Sequence, residues 1–159
     1  MVLLAPYLPA LFERLDLLQP GAVLIEGQEA RSRAVHLLRY LATGELDAAE
    51  PRLLLPKLLC GLPTAEPVLA KAEPDAEMLA TCDGLLAAVV ANWPMLGNAS
   101  VAALRETFLQ REGRLLQAEG TWSLVVQRRG LIDHLVDHVP WSFSTVFHRW
   151  MPAPIQVTW

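Results

Sequence analysis

Cysteine, clustered basic charge and long apolar runs are what this sequence has little of. Its two cysteines, Cys60 and Cys82, each sit in a Leu/Ala-rich helical pattern, so buried free thiols are expected rather than a bridge or a metal site. Lysine and arginine number 13 against 17 acidic residues, for a net charge of −4. The basic residues are scattered apart from the pair Arg128-Arg129, whereas a nucleic-acid surface needs a basic patch, so nucleic-acid binding is not expected. The longest apolar run, Leu85–Leu96, contains Asn92 and Pro94 and falls short of the ~20 residues a membrane helix requires. Membrane insertion is therefore not expected. The opening MVLLAPYLPALFERL is apolar but lacks a basic leading segment and is interrupted by prolines, which argues against a signal peptide. No Gly-x-Gly-x-x-Gly or phosphate loop occurs, and the serines at 32, 100, 123, 142 and 144 form no Gly-x-Ser-x-Gly elbow.

What is present is apolar bulk. The chain is 53% hydrophobic with mean hydropathy +0.30, above an ordinary soluble domain. Its 159 residues fit one domain, which would bury roughly two-thirds of its unfolded surface. The excess apolar surface belongs in a core or against a partner.

Helical periodicity dominates residues 1–111. The spacing of Leu8, Leu11, Phe12, Leu15 and Leu18 predicts a helix over 7–18, stopped by Pro20-Gly21. Residues Ala22–Glu26 form a short apolar piece suited to an extended conformation. Ala34, Leu37, Leu38 and Leu41 predict a helix over Gln28–Thr43, with Gly44 as a left-handed cap. Pro56 suits the first position of a short helix ending near Cys60, with Gly61 closing it. After a loop-like 64–73, Pro74 opens a longer helix to about Asn92, with Asp75 and Glu77 at its positive end. Ser100 is a good N-cap for a helix over Val101–Gln110.

The period switches in residues 112–159. Arg114–Gln117 and Thr121–Arg128 flank Ala118-Glu119-Gly120 and read as a hairpin, with Trp122, Leu124 and Val126 on one face. Leu131–His138 reads as a short helix. The stretch Val139–Trp159 then carries the alternating runs Phe143/Thr145/Phe147 and Ile155/Val157/Trp159 around Met151-Pro-Ala-Pro154, two further half-buried strands. Helices first and strands last predict an α+β fold: a bundle of short helices on a small antiparallel sheet of about four strands.

Catalytic constellations are thin. His134 and His138, four apart and so on one face of an α-helix, have a spacing that can chelate zinc. The first lacks a following Glu and no third ligand is evident, so a solvated polar face is the preferred reading over a metal-dependent hydrolase. His148 reads as half-exposed on a strand and His36 as partly buried on a helix. Arg105 with Glu106, and Arg111 with Glu112, read as ordinary surface charges. Of the five tryptophans, 122, 141, 150 and 159 fall in the last forty residues, more than a small sheet can bury. Trp122, Trp141, Trp150 and Trp159 are therefore candidate partner-binding residues, since aromatics are enriched at interface centres.

Several blocks, taken in order, resemble the C-terminal domain of contractile injection system tape measure proteins. They are LLAPYLPALFERL (3–15), RAVHLLRYLATGE (33–45), LPKLLCGLP (55–63), LRETFLQREG (104–113), PWS (140–142), WMP (150–152) and the final tryptophan. The resemblance spans nearly the whole chain. It implies a component of phage-tail-like machines in which a sheath contracts around an inner tube whose length the tape measure sets. It brings no catalytic residues, metal or cofactor, and makes Pro56, Gly61, Gly113 and Trp141 fold-determining positions. A single helix of this length would reach only ~240 Å and twelve prolines forbid it, so the chain is too compact to be a ruler by itself. The matched pattern begins almost at Met1, as though cut from a longer protein. The resemblance thus implies a terminal, non-enzymatic assembly and anchoring domain that binds tube, baseplate or spike proteins in the bacterial cytoplasm and then stays in the particle. The alternative is a free-standing adaptor or effector-loading chaperone of the same system.

Overall fold

The computed structural model describes residues Met1–Trp159. A 3₁₀ segment, Val2–Tyr7, runs directly into α1, Leu8–Arg14. The predicted stripe Leu8, Leu11, Phe12, Leu15 and Leu18 is buried, as are Val2, Leu3, Leu4 and Ala5 before it. The helix stops at Arg14 because Asp16 turns to a positive φ of 55°. Ala22–Glu26 is irregular rather than extended: it pairs with no strand of the sheet, and only Ile25 is buried there.

Helix α2 spans Gln28–Thr43 and buries the predicted Ala34, Leu37, Leu38 and Leu41. Gly44 takes the left-handed cap (φ 79°, ψ 4°), its N–H donating to the Tyr40 carbonyl at 2.7 Å. Helix α3, Leu54–Cys60, buries Pro56 and ends at Gly61, also left-handed at φ 68°. A Cβ there would lie 2.2 Å from the Trp150 carbonyl oxygen, so the position is closed to side chains on two counts. Helix α4, Ala76–Ala91, is capped by the Asp75 carboxylate, which accepts from the Met78 N–H at 2.9 Å.

Helix α5, Val101–Leu104, starts at Ser100, whose hydroxyl accepts from the Ala103 N–H at 3.1 Å. It does not continue to Gln110 as a regular α-helix. Arg105–Leu109 widens into a π turn that places Leu104, Phe108 and Leu109 together in the core.

The sheet comprises β1 (Gly113–Ala118), β2 (Thr121–Val126), β3 (Thr145–Val146) and β4 (Ile155–Thr158), in the order β1-β2-β4-β3. The hairpin turn is the two residues Glu119-Gly120, at φ 48° and 78°. Left-handed conformation at both suits the twist of the flanking strands. The sheet is mixed, not wholly antiparallel, because β2 and β4 pair in parallel. After β2 the chain crosses in a 3₁₀ helix, Leu131–His138, and reverses through β3. Parallel neighbours require such a crossover. On β2, Leu124 and Val126 are buried and Trp122 half-buried, the predicted shared face. On β4, Ile155 and Val157 point inward. The run Phe143/Thr145/Phe147 is not a buried face. β3 is only two residues long and its inward member is Val146, which pairs with Ile155, while Phe147 is 56% exposed. One apolar cluster of 36 residues runs from Val2 through the helices to Val157.

Candidate docking surface

The outer face of the sheet is built by alternation. Strand register places Arg114, Leu116 and Ala118 of β1 beside Val125, Ser123 and Thr121 of β2, and continues to Thr158 and Gln156 of β4 and Thr145 of β3. Arg114 is the sole charge among these residues. Leu116 is 52% and Val125 45% exposed, and the neighbouring crossover leaves Leu131 85% exposed.

The four predicted tryptophans are all half-buried, yet they are not equivalent. The Trp141 indole N–H donates to the Leu3 carbonyl at 2.9 Å, and its ring meets Tyr7 and the fully buried Trp93 edge-on. Trp150 donates to Leu59 at 2.8 Å and leans on Phe12. Trp159 donates to the Asp133 carboxylate at 3.2 Å. Each therefore ties the C-terminal part of the chain to a distant element. Trp122, on the inner face at the start of β2, hydrogen-bonds through its backbone N–H to Pro154 and through no indole contact.

Asp133 and Arg111 form the most buried ion pair, their side chains 1% and 3% exposed. Asp133 also accepts the backbone N–H of Arg129. Arg111 lies over the Trp159 ring, and burial with the nearby Arg129 charge lowers its pKa. The sequence pattern hid this pair, because Arg111 has an acidic neighbour in Glu112 and Asp133 lies beside His134. Arg105 is likewise no ordinary surface charge. Its guanidinium caps the C-terminal carbonyls of α2, Tyr40 and Leu41, at 3.3 and 3.2 Å, and holds Asp83 of α4 at 3.2 Å. Lys57 is buried too, its side chain 5% exposed, with Nζ 2.6 Å from Glu50 and donating to the Glu66 carbonyl. That contact lowers the pKa of Glu50.

The histidines do not converge. Because Leu131–His138 is a 3₁₀ helix, residues three apart eclipse and residues four apart diverge. His134 accordingly faces Asp137 at 3.5 Å, not His138. No cluster of three or more His, Cys, Asp or Glu side chains has metal-binding geometry. His36 is buried, with Nε2 3.0 Å from the Leu69 carbonyl. His148 lies just past β3 instead of on a strand, stacked on Trp150 at 4.6 Å, and burial lowers its pKa. Both cysteines are free and buried. Burial pushes the Cys60 thiol pKa well up and that of Cys82 to about 12, the reverse of what a nucleophilic thiol needs.

These features define an α+β domain with an open, nearly uncharged sheet face. A family model described as "Contractile injection system tape measure protein" matches residues 1–159, and the chain belongs to that family. No curated protein and no solved structure matches the chain significantly. The chain is thus a structural component of a contractile injection system, and no helix in it is long and apolar enough to cross a membrane.

Proposed function

We propose that this domain anchors the tape measure protein to another protein of the injection particle, a tube, baseplate or spike component, while tube and sheath length are being set. The observation that carries the reading is the outer sheet face, where Leu116 and Val125 stand exposed among hydroxyl and amide side chains with Arg114 the sole charge. Contiguous exposed apolar surface is characteristic of protein contact sites. Leu131 and Phe147 are exposed as well. The half-exposed Trp122, Trp141, Trp150 and Trp159 supply further aromatic contact area, with Trp122 foremost because its indole N–H has no acceptor within the chain. The domain does no chemistry in this reading.

The test is incorporation. A variant carrying Leu116→Lys, Val125→Lys and Leu131→Lys alters only exposed positions and should fold normally. It is expected to fail to co-sediment with particles and to leave tubes absent or of irregular length by electron microscopy. Normal particles of normal length from this variant would overturn the assignment of the surface. Co-purification of the domain with effector proteins but with no tube, baseplate or spike protein would replace anchoring by effector loading.

A further inference from the structure

Strand β1 is an edge strand with β2 as its only neighbour, so along Gly113–Ala118 half its backbone hydrogen-bonding groups face outward. Proteins normally blunt such edges with proline, lysine, bulges or a covering loop. This edge, GRLLQA, has no proline and one charge. Beneath it lies a cleft of about 670 Å³ between the inner face of β1 and the helices, lined by Leu115, Leu55 and Trp159 among others.

The charge on the cleft is one-sided in a chain that is acidic overall. Arg39 of α2, Arg52 of the turn before α3, and Arg111 line it beside the Glu112 side chain; Glu45 pairs with Arg39 and Asp133 with Arg111, which leaves Arg52 as the uncompensated cation. Arg52 is exposed and has no ion-pair partner among the salt bridges of the chain. Arg39 Nε and Arg111 Nε and Nη1 are buried donors without an acceptor. Buried donors left unpaired are costly, and a group that persists in this state calls for a missing partner.

We infer that the free edge of β1 and the cleft below it together receive an extended segment of another particle protein, which adds to the sheet as a fifth strand. In strand addition the backbone supplies affinity and alternate side chains supply specificity. The inward-pointing positions of the added strand would hold an apolar residue against Leu55 and Leu115 and, two residues away, an Asp or Glu toward Arg52. Charge-assisted pairing with guanidinium groups selects the carboxylate over its amide. This inference rests on the anchoring role above and names the segment chemistry that the anchor recognises.

The experiment is a membrane array of short overlapping peptides tiled across the tube, baseplate and spike proteins of the same particle, probed with the purified 159-residue chain. Bound peptides should alternate β-branched and polar residues around one Asp or Glu. Changing that acid to its amide should weaken binding about tenfold or more. Arg52→Glu, at an exposed site, should do the same while leaving thermal stability unchanged, a control that Arg111 variants would not provide. Methylating alternate peptide nitrogens should abolish binding in one phase and spare it in the other, as a strand paired along one edge requires. Bound peptides without an acid, or indifference to Arg52→Glu or to nitrogen methylation, would overturn the inference. If no peptide binds while the chain still co-sediments with particles, the cleft is not the anchor but the anchoring role stands. If neither occurs, both fall.

Discussion

Replacing Gly61 by alanine tests how the helical part and the sheet part of this chain are joined. Gly61 and Gly44 are both helix caps in the left-handed region, at φ 68° and 79°. Alanine in that conformation costs about 1–2 kcal/mol, partly offset by about 0.4–1 kcal/mol from the reduced freedom of the unfolded chain. For Gly44→Ala the account ends there, because the nearest atom to the new methyl would be Arg105 Nη1 at 3.5 Å, an ordinary contact. For Gly61→Ala the methyl would meet the Trp150 carbonyl oxygen at 2.2 Å, so one backbone must retreat by close to an ångström. The Trp150 segment resists, being held by its indole bond to Leu59 at 2.8 Å, by Phe12 and by the buried Met151. Overpacking of this kind costs about 1–3 kcal/mol, and losing the indole bond about 1 kcal/mol more. The two variants should therefore separate. Gly44→Ala should lose roughly 1 kcal/mol and Gly61→Ala roughly 3–5 kcal/mol, a large part of the stability of a domain this size. Urea unfolding followed by tryptophan fluorescence measures both. Equal shifts of the two midpoints would refute the reasoning, since they share everything except the close approach.

Three further outcomes are expected. Asp133→Ala strands the Arg111 guanidinium and the Arg129 N–H and should cost about 3–5 kcal/mol, most of it recovered in Arg111→Met/Asp133→Leu, read by urea unfolding. The folded pKa of His148 lies below its ordinary 6.5, so the unfolded chain binds more protons between those two values. Stability should consequently fall as pH drops through that window. Subtracting the His148→Gln profile from the wild-type one isolates the effect, and identical profiles would contradict it. Cys60 and Cys82 should be unreactive toward a disulfide reagent at neutral pH and both titrate once the chain is unfolded; rapid labelling of the native chain would contradict their burial.

Local signals in the sequence were read correctly where the structure obeys local rules. Helix α2 occupies the predicted Gln28–Thr43, and Gly44, Gly61 and Ser100 act as the caps their types favour, while α4 begins at Ala76 with Asp75 as its cap instead of opening at Pro74. The hairpin and the inward face of β2 follow from period-2 alternation. What could not be read depends on long-range geometry. Whether β4 runs parallel to β2 is decided by a crossover through Leu131–His138, whose 3₁₀ form also separates His134 from His138. The inward residue of β3 is set by its pairing with β4, so Val146 displaced the more apolar-looking Phe147. Buried cations gave no signal of their own. Arg105 and Arg111 sit beside Glu106 and Glu112 as solvated residues do, and their true partners lie 22 to 65 residues away. Of the candidate surface, the tryptophans were visible in the sequence. The inward tethering of three of them, and the exposed Leu116 and Val125, needed the strand register.

Strand β4 is the last regular element in the sequence and occupies an interior place in the sheet, between β2 and β3. While a ribosome is still making the chain, the helices and the hairpin can form, but Leu124 and Trp122 have nothing on the side away from β1 until Ile155–Thr158 emerges. Nascent chains of this protein must therefore wait with an open seam down the centre of the sheet, and exposed seams invite wrong pairing between neighbours. A chain without Ile155–Thr158 would keep that seam permanently, which makes synthesis through this strand part of how the domain reaches its working shape.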